Sequence, residues 1–322
     1  AGGSGGVGSV RWGALRDPGN ILGLRVATME AEPQLIDLVG SEVHQVHHAY
    51  GVNGVIVRVT MPLAPLPRPG WVELLLAHPD WLAANRFAER IANERGLWLK
   101  EVATVQAPAP HRYFLRHRRF LEEGDNLVAV MAAPNALLPL RELAREAGFR
   151  EAYASDAATK EDARGLPHIH HLLWNHTTLR ALRVDPEITY LQVAFPEPDR
   201  HAKIARIAEM FPGEVIGHNE FMGMEGRIEA AGLSLLRFST EERLAEIVAA
   251  HEALGCLAFS PHHYTVEEGG MKASDPLQLD FKRRHDPKGL LNPGKMIGWE
   301  DPDFDYSRDW AFPGLMAPKP AE

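Results

Sequence analysis

Several short segments of this chain carry side chains able to move protons or grip polar ligands. His262-His263-Tyr264-Thr265-Val266-Glu267-Glu268 sets two imidazoles, a phenol and two carboxylates side by side. His262, His263 and Tyr264 are candidate acceptors of a substrate hydroxyl proton, and Glu268 is a fourth catalytic candidate. The bland alternative is that these are ordinary strand-end residues at the surface. Trp174-Asn175-His176-Thr177-Thr178-Leu179-Arg180 is dense in polar groups beside an aromatic ring. Arg180 is able to hold a carboxylate bidentately, His176 to polarise its oxygen, and Asn175 to add a hydrogen bond. Alternatively, Thr177-Thr178 caps a short helix and Arg180 pairs on the surface. His218 and Glu220 lie two apart in an extended run, which sends both side chains to one side of a strand. His168, His170, His171 and His176 cluster in sequence as metal ligands do. A local histidine cluster is more often incidental than a metal site, so no metal is expected.

Glycines offer chemistry of another kind. Gly2-Gly3-Ser4-Gly5-Gly6-Val7-Gly8-Ser9 lets backbone N–H groups approach a phosphate or a flat ring without interference from Cβ atoms. No Gly-Lys-Ser/Thr follows, as a Walker loop requires, and no acidic residue stands where a Rossmann unit needs one.

These residues need a scaffold, and the sequence predicts an α+β one. Residues 1–66 are Gly-rich with short β runs such as Val55-Ile56-Val57, and close on Pro62, Pro65, Pro67 and Pro69. From Trp71 one order of elements runs twice. A strand (71–76) leads to a helix opening at Pro79-Asp80 with Ala84, Phe87, Ala88 and Ile91 at helical spacing. Strands near 97–105 and 126–133, a helix from about 135 and a short strand complete the unit. The second copy starts at Ile188–Val193, with Asp199 expected to cap its first helix. Ser239 and Glu242 are expected to form a capping box for its second, and Cys256–Phe259 is its last strand. Each half reads βαββαβ, the ferredoxin-like order. Two such units side by side predict one antiparallel sheet, helices on one face and the other face left free to cover something. Three regions follow: 1–66, 67–285, and a turn-rich segment from 286 to 322.

Three motifs in this order resemble the vanillyl-alcohol oxidase family of FAD-linked oxidases, whose FAD-binding domain is of the PCMH type. They are Gly2–Gly13 with Asp17-Pro18-Gly19-Asn20, then His48-Ala49-Tyr50-Gly51-Val52-Asn53-Gly54-Val55-Ile56, and Asp286-Pro287 through Leu291-Asn292-Pro293-Gly294-Lys295. The resemblance covers essentially the whole chain and implies an enzyme with FAD as cofactor. It places Gly2, Gly3, Ser4, Gly5, Gly6, Gly8, Ser9, Gly54, Val55, Ile56 and Asn292 at that cofactor. It further implies a cap domain over 67–285, a C-terminal return to the flavin, and a first FAD subdomain preceding Ala1. The implied reaction is oxidation of a small alcohol, hydroxy acid or phenol by hydride transfer to flavin N5. Asn175, His176, Arg180, His218 and Glu220 are then the substrate-binding set. Where hydroxy-acid-oxidising relatives carry Glu-His-Gly, this chain has a Glu pair, so their catalytic histidine is not matched directly. The rival readings are a flavin-free scaffold or binding subunit, and a metal-dependent enzyme built on the histidine cluster.

Composition limits the partners. The net charge of −9 over 322 residues disfavours nucleic acid. The basic run Arg112–Arg119 reads as a solvated loop or an anchor for an anionic ligand. No apolar run reaches the length of a membrane span. One cysteine, Cys256, excludes an intrachain disulfide and fits a reducing, cytoplasmic setting. A small-molecule substrate is expected; the electron acceptor and homo-oligomerisation stay open.

Overall fold

A computed structural model describes residues 9–15, 17, 19–224, 226–259, 264–267 and 276–305. These fall into two compact units: 14–64 with 259–305, and 9–13 with 65–258.

The first unit is built on three antiparallel strands, β1 (Gly23–Ala27), β2 (Leu35–Val39) and β3 (Val55–Thr60), in the order β2-β1-β3. Alternation decides its faces. Leu24 and Val26 point inward, Leu24 lies opposite Leu38, and Arg25 on the outer face pairs with Asp37 at 2.6 Å.

The second unit contains both βαββαβ repeats. The first runs β4 (Val72–His78), α1 (Trp81–Asn93), β5 (Leu99–Val105), α2 (Ala109–Tyr113), β6 (Asn126–Ala132), α3 (Leu137–Glu146) and β7 (Arg150–Ala154). Two helices connect it to the next repeat, α4 (Lys160–Ala163) and α5 (Asn175–Leu182). The second repeat is β8 (Ile188–Phe195), α6 (Arg200–Met210), β9 (Val215–Ile216), β10 (His218–Met224), β11 (Arg227–Arg237), α7 (Glu241–Ala253) and β12 (Leu257–Phe259). Among the described residues these strands make one sheet in the order β12-β8-β11-β10-β5-β6-β4-β7, with β9 beside β11. The repeats meet where β10 pairs antiparallel with β5.

Capping chemistry sets the helix starts. The Asp80 carboxylate accepts the Ala83 N–H at 2.9 Å and opens α1, whose Ala84, Phe87, Ala88 and Ile91 are buried. Two expected caps are corrected. Asp199 precedes α6 in the left-handed region, φ 66°, which turns its side chain from the helix N–H groups, and it makes no capping bond. For α7 the cap is Thr240, not Ser239: its hydroxyl accepts the Arg243 N–H.

Each strand of the large sheet feeds two cores. Val72, Leu74 and Leu76 join the core under α1, α3, α6 and α7, whereas Leu75 and Ala77 join one on the opposite face. That second face is not left bare as expected. Ala109, Tyr113, Phe114, Ile169, Leu172, Leu173 and Ala181, from the connections before β6 and β8, pack on it and bury their apolar area there.

The chain then returns to the first unit with α8 (Pro276–His285) and α9 (Ile297–Glu300). Phe281 packs with Leu24, Val26 and Leu38, and Leu279 and Met296 with Ala49 and Val52. No helix among the described residues is long and apolar enough to cross a membrane.

Candidate functional site

The face of the large sheet opposite α1, α3, α6 and α7 collects several buried polar groups. β10 presents His218 and Glu220 there, since its alternate residues Asn219 and Phe221 face the helices; Phe221 lies in the helix-side core and Asn219 donates to Asn85 of α1. His218 is 0% and Glu220 1% exposed. Glu220 Oε1 lies 2.8 Å from His218 Nε2 and accepts the Trp174 N–H at 2.7 Å. A proton on Nε2 satisfies that contact and leaves the Nδ1 lone pair, which has no partner among the described residues. Trp174 immediately precedes α5 with φ 54°, a conformation costly for a large side chain, and the Glu220 carboxylate holds it.

Two further acids share this face. Glu73 of β4 contacts His168 Nδ1 at 2.7 Å and accepts the Ile169 N–H at 3.2 Å. Glu101 of β5 is 7% exposed, and its Oε2 has no partner among the described residues. Glu73 and Glu101 both stand opposite Met131 of β6, one strand to either side. Burial, then the neighbouring Glu220 charge, pushes the Glu101 carboxyl up to about 7. Sequence reading missed both acids. The available signal was a carboxylate inside an otherwise apolar strand, Val72-Glu73-Leu74-Leu75 and Leu99-Lys100-Glu101-Val102.

The structure joins two of the expected substrate segments through Glu220, which bonds His218 and the residue that opens α5. Asn175 is exposed at the first turn of α5, and exposed His176 sets Nδ1 3.2 Å from the His170 carbonyl. Arg180 donates Nε to the His171 carbonyl at 3.3 Å, and burial lowers its pKa. The rings of His168, His170, His171 and His176 follow one another at 4.1–5.6 Å between centroids. Among the described residues no three His, Cys, Asp or Glu side chains converge as metal ligands do. His262, His263, Glu268 and the glycine string Gly2, Gly3, Ser4, Gly5, Gly6 and Gly8 lie outside the described residues. Tyr264 is 61% exposed, with the Lys295 ammonium 3.3 Å above its ring centre. Ser9 caps a turn: its hydroxyl accepts the Trp12 N–H, and its carbonyl accepts the Gly223 N–H of β10.

The remaining cofactor candidates sit in the first unit. His48, Tyr50 and Gly51 all have positive φ, and the turn they form leads into Gly54. A Cβ at Gly54 would lie 2.4 Å from Val26 Cγ1, so only glycine lets this strand start lie against β1. Val55 beyond it is 46% exposed, Ile56 packs inward, and β3 is an edge strand. Asn292 donates Nδ2 to the Tyr50 carbonyl. It sits at the end of a turn organised by Asp286, whose carboxylate accepts the Leu290 and Leu291 N–H groups at 2.8 and 3.0 Å and the Lys282 ammonium at 2.6 Å.

No protein-family model matches the chain, and no curated protein matches it in sequence. Solved structures do match in fold. An alkyldihydroxyacetonephosphate synthase aligns with TM-score 0.56 and 10% identity over 88% of this chain and 54% of its own. p-Cresol methylhydroxylase with substrate bound aligns with TM-score 0.56 and 12% identity over 93% and 68%. A variant of BBE-like 1 from Physcomitrella patens aligns with TM-score 0.50 and 10% identity over 90% and 68%. The chain spans about half the length of the first of these, 54%. Its α+β architecture of antiparallel sheets and helices is the fold of the FAD-linked oxidases.

Proposed function

We propose that this chain is part of an FAD-dependent oxidoreductase that oxidises a small alcohol, hydroxy acid or phenol. The observation that carries this reading is the His218–Glu220 pair, buried on the sheet face opposite α1, α3, α6 and α7 of a chain with the FAD-linked oxidase fold. The first unit fits the cofactor in kind. β3 is an edge strand of its sheet, glycine at position 54 permits the close strand start, and Asn292 donates to the Tyr50 carbonyl of the turn before it. Gly2–Gly8 and Ser9 are assigned to the same cofactor by the family resemblance alone. When bound, FAD accepts a hydride from the carbon being oxidised.

The protein's own groups handle the proton. Glu220 orients the His218 ring and fixes its tautomer, so Nδ1 accepts the substrate hydroxyl proton. The same carboxylate stabilises the imidazolium that results. His262, His263, Tyr264 and Glu268 stay in the proposal as further groups near the reacting atoms, with Asn175, His176 and Arg180 at the substrate.

The test is the visible spectrum of the protein incubated with FAD, before and after aromatic alcohols are added. Retained flavin bands that bleach with substrate are expected. In His218→Gln, bleaching slows on the order of 10²–10⁴-fold with FAD retention unchanged. A protein that takes up no FAD sinks the reading in favour of a flavin-free scaffold.

A further inference from the structure

The sheet face covered by α2, α5 and the connections before β6 and β8 holds three buried carboxyl groups, Glu73, Glu101 and Glu220, on three strands. Two of them are spoken for. Glu73 is tied to His168 and the Ile169 amide, and Glu220 to His218 and the Trp174 amide. Glu101 is different: it is nine-tenths buried, and Oε2 has no partner among the described residues. The His218 Nδ1, also buried, has none among the described residues either, as is true of Tyr113 Oη, His170 Nδ1 and Trp174 Nε1. No arginine or lysine forms an ion pair with any of the three acids among the described residues. Arg180, the residue suited by type to hold a carboxylate, is turned to the His171 carbonyl.

We propose that Glu101 is a substrate-positioning residue, a neutral carboxylic acid that offers its O–H to a substrate oxygen, and that this face therefore takes neutral alcohols or phenols and rejects carboxylates. The inference rests on the reading that this face serves the substrate, and narrows it. An unpaired carboxylate in such surroundings is costly, and the protein avoids that cost by keeping the proton. The charged and titratable groups around it are Glu220 and His218 of β10, Glu73 of β4, Lys100 of its own strand, and His168 and His170 beyond. Of these, Glu220 and Glu73 favour the protonated form and Lys100 opposes it. A substrate carboxylate placed here would meet the Glu73 and Glu220 charges, which Lys100 opposes without forming an ion pair with any of the three acids among the described residues.

Two measurements on the FAD-incubated full chain test this. The first is an infrared pH titration comparing wild type with Glu101→Gln. A protonated-carboxyl band that disappears with a midpoint near pH 7 and is missing from the variant is expected. Absence of that band at pH 6 overturns the proposal. The second is calorimetric binding of 4-hydroxybenzyl alcohol and 4-hydroxybenzoate. At pH 6 the alcohol is expected to bind at least about tenfold tighter, and to lose affinity above pH 7 in wild type but not in Glu101→Gln. Equal or tighter binding of the benzoate overturns the inference while leaving FAD uptake, and so the oxidoreductase reading, intact. Failure to retain FAD together with failure to bind either compound overturns both.

Discussion

Glu101 and Asp286 are both buried acids, and they predict opposite responses to pH. Glu101 titrates near 7 in the folded protein and near its ordinary 4.5 when unfolded, so the folded state keeps a proton that the unfolded state has released. Stability is therefore full below about pH 4.5 and falls as pH rises toward 7, by about 3 kcal/mol in all. Glu101→Gln removes this loss, so its urea midpoint is expected to exceed that of wild type by more at pH 8 than at pH 5. Asp286 runs the other way. Burial works to raise its pKa, but the Lys282 ammonium and the Leu290 and Leu291 amides outweigh it and hold the carboxyl below its ordinary range. Its stabilisation is present above the unfolded value near 3.8 and is lost as pH falls through the folded one. Asp286→Ala strands the buried Lys282 ammonium and is expected to cost on the order of 3–5 kcal/mol at pH 7, measured by urea denaturation. Pairing it with Lys282→Met should recover much of that loss, because no buried charge is then left alone.

At the scale of elements, helix starts discriminate between two neighbouring hydroxyls. Thr240→Ala is expected to lower stability by about 1 kcal/mol, whereas Ser239→Ala leaves it nearly unchanged, because only Thr240 accepts the Arg243 N–H. Thermal melts of both variants decide it. The capping box was legible to within one residue because Ser239 and Thr240 are equally good by type, and only the backbone path chooses between them. The doubled βαββαβ order was legible in full, since apolar alternation and helical spacing are local properties of the chain. His218 and Glu220 were paired for the same reason: residues two apart on a strand share a face. Glu73 and Glu101 were not legible as site residues. Each looks like a solvent-facing strand acid until the connection before β8 lays Ile169, Leu172 and Leu173 over the same face. The use of Arg180 was equally hidden, because its partner is a backbone carbonyl and leaves no trace in residue types.

Across the whole molecule, the two units differ in how the chain supplies them. The large-sheet unit is nearly continuous from 65 to 258, with residues 9–13 added through Val10, whose N–H meets the Lys100 carbonyl at 3.2 Å. Its strands carry cores on both faces, so most of its burial is internal to that one stretch. The other unit is split. β1, β2 and β3 depend on Phe281 from α8 for their core, and the His44 carbonyl of the 3-10 turn Gly40–Gln45 and the His47 carbonyl just after it accept the Gln278 side-chain amide at 3.2 and 3.0 Å. The Val52 carbonyl, in turn, accepts the buried Lys282 ammonium at 2.7 Å. A three-stranded sheet without its packing partner falls below the size at which a core sustains itself. Residues 65–258 produced alone are therefore expected to fold cooperatively, with a single melting transition and dispersed amide resonances. Residues 14–64 alone are expected to stay unfolded and to gain structure only when 276–305 is joined by a linker. A folded 14–64 fragment would show that α8 decorates this unit and does not complete it.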